Sequence, residues 1–160
     1  MPEAEDQRVN VGEAAPDFAL PDDQGRIVRL SDFRGRPVVL FMYPKDNTPG
    51  CTLEACSFRD NFDRLQEAGA AVLGLSPDSV ESHRRFKARH HFPFPLLSDE
   101  GGQTAALYGA WKEKSLFGRR YRGIERSTFI IDSEGIVRRV FRKVKVGGHV
   151  DEVLKALADL

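Results

Sequence analysis

Thiols, net charge and long apolar runs are what this chain has least of. Its two cysteines, Cys51 and Cys56, leave no second pair to complete a tetrahedral zinc site, and His83, His90, His91 and His149 are scattered. The 24 basic and 24 acidic side chains cancel, which argues against the broad positive field of a nucleic-acid-binding surface. The longest apolar run, "PVVLFMYP", has the length of a strand, far short of the roughly 18 residues of a membrane span. Repeats, low-complexity tracts and an interdomain linker are also lacking. Trp111 is the single tryptophan, and core packing is its expected role.

What is present is a globular balance, with 41% hydrophobic and 30% charged residues in 160. That length supports one domain with a real core, expected over residues 11–160. The first ten residues, "MPEAEDQRVN", carry three acids and no apolar segment. They are expected to form a flexible tail on a cytoplasmic protein rather than a secretory or transit peptide. In a reducing compartment, a cysteine pair is more often catalytic, redox-sensing or metal-binding than structural.

Periodicity orders the rest. "FAL" and "IVRL" flank the turn residues "PDDQG", so residues 18–30 read as a β-hairpin. "PVVLFMY" (37–43) and "AAVLGLS" (70–76) are continuous apolar runs, the pattern of strands buried on both faces. Between them Leu53, Phe58, Phe62 and Leu65 recur at helical spacing, with Gly69 as the stop, giving a βαβ unit with parallel strands. "DSVESHRRFKARHH" reads as a helix opened by an Asp or Ser cap. "STFIIDSEGIVRRVFRKV" reads as two strands around a tight turn. "GHVDEVLKALADL" places Val150, Val153, Leu154, Leu157 and Leu160 on one helical stripe. This order predicts a thioredoxin-like α/β fold, a mixed sheet flanked by helices, with an added N-terminal hairpin.

Both thiols lie in "YPKDNTPGCTLEAC" (43–56). Cys51 falls where a strand–turn–helix junction begins its helix, and helix N-terminal amides favour a thiolate. Thr48 brings a hydroxyl within reach of the sulfur or of a substrate oxygen, and Pro44 starts the turn rigidly and could shield the sulfur. Inert core packing is the competing reading for such a cysteine. His90 and His91, beside a basic run, read as a solvated helix end. On an intact helix, Cα atoms five residues apart stand about 8.7 Å from one another, beyond the roughly 7 Å reach of a disulfide. If Cys51 and Cys56 bond, the start of their helix has to unwind.

The Pro-x-x-x-Thr-x-x-Cys pattern of Pro44, Thr48 and Cys51 resembles the active-site signature of the peroxiredoxins. With Cys56 five residues on, and with "LYGAWKEKSLFGRRYRGIERSTFIID" and "RKVKVGGHVDEVLKAL" later, the chain resembles the peroxiredoxin Q (bacterioferritin comigratory protein) subfamily over nearly its whole length. The resemblance implies Cys51 as peroxidatic cysteine, Cys56 as resolving cysteine and Arg126 as active-site arginine, oriented by Glu54. For Glu54 the dipole at the helix start is an equally good reason to be there. Arg119, Arg120 and Arg122 are expected to be surface charges. The implied reaction is thiol-dependent reduction of hydroperoxides, recycled by thioredoxin or a similar dithiol, without metal or other cofactor, in a monomer. A thiol–disulfide oxidoreductase on the same fold is the alternative, although Cys-x-x-Cys is absent. A binding module with structural cysteines is the other, and it predicts unreactive thiols.

Overall fold

The computed structural model describes residues 9–160. The tail expected over residues 1–10 therefore lies outside the described residues, apart from Val9 and Asn10. Val9 is buried in the core.

Strands β1 (Ala19–Pro21) and β2 (Ile27–Arg29) form the expected N-terminal hairpin. The central sheet contains β3 (Val38–Met42), β4 (Ala71–Ser76), β5 (Leu96–Ser98), β8 (Ser127–Ile131) and β9 (Val137–Arg142). Its order is β5-β4-β3-β8-β9. The first three are parallel, and β8 and β9 join antiparallel. A turn over Asp132–Gly135 connects β8 to β9, closed by the Gly135 amide on the Asp132 carbonyl at 3.0 Å. Gly135 sits at φ 84°, where a side chain is disfavoured.

Alternation along each strand divides the core between two faces. Val39, Phe41, Tyr43, Val72 and Ile130 pack under α1 (Pro49–Asp60), α2 (Phe62–Glu67), α3 (Val80–His90) and α5 (His149–Ala158). Leu40, Met42, Leu73, Leu75 and Phe129 face the other way, against Phe18, Leu30 and the α4 segment (Gln103–Leu107). This is a thioredoxin-like α/β fold with an N-terminal hairpin, in agreement with the sequence pattern.

The structure departs locally from the sequence pattern. The helix expected to run from Cys51 towards Gly69 breaks at Asn61, whose side-chain amide donates to the Ser57 carbonyl at 2.8 Å and competes with the helical ladder. Leu53, expected on the buried face, is 60% exposed. Leu160 lies beyond the last turn of α5 and is exposed, while Val150, Val153 and Leu157 are buried as expected. Strands β6 (Trp111–Leu116) and β7 (Arg119–Ile124) form a further antiparallel hairpin. Trp111 packs against the core, and its ring covers Gly102, where a Cβ would meet the indole at 2.4 Å. Arg119, Arg120 and Arg122 are exposed.

Candidate active site

The loop from Tyr43 to Thr48 carries the chain from β3 into α1, and a buried polar network holds it. The Tyr43 hydroxyl donates to Asp46 Oδ1 at 2.7 Å, and Ser82 donates to Asp46 Oδ2 at 2.8 Å. His83 Nδ1 stands 2.7 Å from the same Oδ2, while Nε2 faces the Leu97 carbonyl at 2.9 Å. Asp78 Oδ2 accepts from the Asp46 amide and from Ser76. The donor atoms of Asp46, Asp78 and His83 lie within 4.8 Å of one another. These hydrogen bonds already engage them, so the cluster ties the loop to α3 and β5. His83→Leu would strand the Asp46 carboxylate, fully buried, without its ring partner. A loss of about 3 kcal/mol in urea unfolding is expected; an unchanged midpoint would mean that the loop is anchored by other contacts.

Helix α1 begins with Thr48 as N-cap and Pro49 at its first position, where proline's missing N–H costs nothing. Cys51 is therefore third in the helix, in the turn whose amides lack intrahelical partners. It is buried, 1% exposed. The Thr48 hydroxyl donates to the Lys45 carbonyl at 2.8 Å, not to the sulfur. Pro44, just beyond β3, is partly buried.

Arg126, between β7 and β8, brings its guanidinium to the same place. Nη2 donates to Cys51 Sγ at 3.3 Å and Nη1 to Glu54 Oε1 at 2.5 Å. Burial opposes its charge, but Glu54 and Cys51 together raise its pKa further. Gly50 leaves it room: a Cβ there would stand 3.2 Å from Nη2. Lys114, half-buried in β6, donates to the Ile124 carbonyl at 2.6 Å and is close enough to interact with Arg126 and Cys51. Burial and the Arg126 charge lower its pKa. Nothing in the sequence marked it, because it is one lysine among many in a polar hairpin.

Glu54 lies one helical turn after Cys51, on the same face. It is not a solvated carboxylate at a helix start, for only 1% of it is exposed. Oε1 is held by Arg126, and Oε2 has no hydrogen-bond partner among the described residues. Burial pushes its pKa up to about 7, against the lowering effect of Arg126. Between pH 4.5 and about 7 the folded protein then keeps a proton that the unfolded chain has released. Stability falls as pH rises through that window, by about 3 kcal/mol in all. Glu54→Gln should flatten this slope in urea titrations at successive pH values; an unaltered slope would place the titration on another group.

Cys56 is half-buried on the same helix, and both thiols are free. Pairing them requires α1 to open, as its regular turns hold both residues. His90, expected at a solvated helix end, is instead half-buried with Nδ1 3.9 Å from Cys56 Sγ. A surface hollow of about 750 Å³ beside Pro37, Arg138 and Leu160 includes none of these residues.

A family model described as the AhpC/TSA family matches residues 11–140. The chain is 50% identical over 149 residues to a putative peroxiredoxin Bcp of Coxiella burnetii, covering 93% of this chain and 99% of that one. This chain belongs to the peroxiredoxins. Peroxiredoxin Bcp of Bacillus subtilis is 49% identical over 152 residues, 95% of this chain and 97% of its own. Among solved structures, a bacterioferritin comigratory protein of Xanthomonas campestris, studied for alkyl peroxide reduction, superposes with a TM-score of 0.84. That match has 42% identity and covers 89% of this chain and 90% of the other. These likenesses place the peroxiredoxin described here in the peroxiredoxin Q, or Bcp, branch.

Proposed function

We propose that this peroxiredoxin reduces hydrogen peroxide and alkyl hydroperoxides through Cys51, resolves the product with Cys56, and is recycled by thioredoxin or a similar dithiol. The observation that carries the reading is the Arg126 guanidinium on Cys51 Sγ at the start of α1. The Cys51 thiolate attacks the terminal peroxide oxygen. An S–O bond forms, the O–O bond breaks, and the displaced oxygen leaves as water or an alcohol after taking a proton. Arg126, the first-turn amides and Thr48, once it turns from Lys45, stabilise the developing negative charge. Pro44 closes the cleft beside them, and Glu54 orients the guanidinium. The alkyl peroxide reduction of the Xanthomonas relative supports the substrate class.

Cys51 is left as a sulfenic acid. Cys56 attacks it, the disulfide forms and water leaves; a dithiol then reduces the disulfide by exchange. The asymmetry of α1 supports this opening. Its first turn has no side-chain cap, whereas Phe58 stacks on Phe41 at 4.5 Å between ring centroids and anchors the later turns. Helix ends open at lower cost than helix middles, and this opening also has to release Cys51 and Glu54 from Arg126. None of these steps needs a metal or organic cofactor. No described helix is long and apolar enough to cross a membrane; we place the enzyme in the cytoplasm as a monomer.

Rapid mixing with peroxide and reduced thioredoxin tests the reading. Cys56→Ser should react once at the wild-type rate and then stall, with cycling reduced at least about tenfold. Undiminished cycling would mean that another group resolves Cys51.

A further inference from the structure

The two thiols of α1 meet different surroundings. Cys51 faces Arg126, whereas Cys56 faces the C-terminal end of α3. There the imidazole of His90 puts Nδ1 3.9 Å from Cys56 Sγ. The ring is fixed in place, stacked on Phe92 at 5.4 Å and edge-on to Phe86 at 5.4 Å between centroids. The backbone is held as well: Arg59, three residues after Cys56 on the same helical face, donates from Nη1 to the His90 carbonyl at 2.9 Å. His90 thus touches the resolving thiol with its ring and the helix that carries it with its carbonyl. These contacts lie in the anchored half of α1, so they can persist while the Cys51 turn opens.

We propose that His90 is the general base that takes the proton of Cys56 as this thiol attacks the sulfenic acid on Cys51. The inference rests on the two-cysteine reading above. The Cys56 S–H proton passes to Nδ1, and the sulfur's electron pair forms the S–S bond. The S–O bond of Cys51 breaks, and the departing hydroxide takes a proton from the imidazolium to leave as water. Cys56 is oxidised, the sulfenic sulfur is reduced, and the ring returns to its starting state.

The electrostatics suit this role. Burial lowers the His90 pKa, and Arg89 and His91 from its own segment and Arg59 from α1 lower it further. These effects favour the neutral ring, and the tautomer protonated on Nε2 has its Nδ1 lone pair towards the thiol. Arg59 stays charged, chiefly through Asp60 at 3.0 Å, and also interacts favourably with charge at Cys56. A sulfur–nitrogen distance of 3.9 Å is long, as catalytic hydrogen bonds often are before the reaction begins.

The test uses the reduced full chain, one pulse of hydrogen peroxide and two timed readings. Peroxide consumption reports the first step; acid-quenched thiol counting by mass reports disulfide formation. His90→Gln removes the base, and His90→Phe also keeps the aromatic stack on Phe92. Both should slow disulfide formation by about 10²-fold, with the slowing confined to that second step. Both should lose the acidic limb of its pH–rate profile and gain rate from added imidazole. More sulfinic acid should collect on Cys51 under excess peroxide, because the sulfenic acid persists longer. Disulfide formation at the wild-type rate in His90→Phe, or an unchanged pH profile in both variants, overturns the proposal. Cys56→Ser run in parallel separates the failures. If it cycles normally with thioredoxin, the two-cysteine reading falls and this inference with it. If it stalls while the His90 variants resolve normally, only the role of His90 falls.

Discussion

Cys51→Ser is expected to lower peroxide consumption by at least about 10³-fold, with the fold intact. The exchange of sulfur for oxygen removes the thiol that the proposed attack on peroxide oxygen needs as its nucleophile. It changes little else. The position is buried and accepts one hydrogen bond, from Arg126 at 3.3 Å, and a serine oxygen can accept it too. Glu54 and Arg126 keep each other as partners. Circular dichroism and urea unfolding should therefore resemble wild type while stopped-flow peroxide consumption collapses. Turnover within tenfold of wild type would remove Cys51 from the chemistry and leave Cys56 as the nucleophile to examine.

Arg126→Ala should produce two separable losses. The first is kinetic: losing a charged donor aimed at the reacting sulfur should slow peroxide reduction by about 10²–10³-fold. The second is structural, since among the described residues Glu54 has no other partner: Oε2 already lacks one, and Oε1 is held by Arg126. An unpaired buried carboxylate costs about 3–5 kcal/mol. It escapes this cost by holding a proton, so its pKa should climb above the value of about 7 it has beside the guanidinium. The destabilisation should then be largest in alkaline buffer and shrink as pH falls. Adding Glu54→Gln to Arg126→Ala should recover much of the stability and none of the rate. If the double variant regains activity, the arginine acts through the fold rather than on the sulfur.

Much of the architecture was legible before any coordinates. The uninterrupted runs at 37–43 and 70–76 could only be strands covered on both sides, and Val150, Val153 and Leu157 could only be the inner face of a helix. The turn at Asp132–Gly135 followed from its residues. The β6–β7 hairpin was not legible. Lys112, Glu113, Lys114, Arg119, Arg120 and Arg122 leave both faces polar and mask the alternation that betrays a strand. The five-residue α4 was too short for periodicity to register. Asn61 hid its break inside a continuous apolar spacing.

The proposed catalytic residues divide along the same line. Pro44, Thr48, Cys51, Glu54 and Cys56 are close in sequence, and their spacing on a turn and a helix start sets their relations through local geometry alone. The chain by itself therefore determined that Cys51 stands at a helix start and that both thiols cannot bond on an intact helix. Only the tertiary structure decided what faces each of them. Arg126 reaches Cys51 across 75 positions because β8 pairs with β3, the strand that leads into α1. His90 reaches Cys56 across 34 positions because α1 and α3 pack on the same face of the sheet. The burial of Glu54, and with it the pKa near 7, follows from the same packing. Such distances depend on how apolar faces close over one another, and no spacing along the chain encodes them.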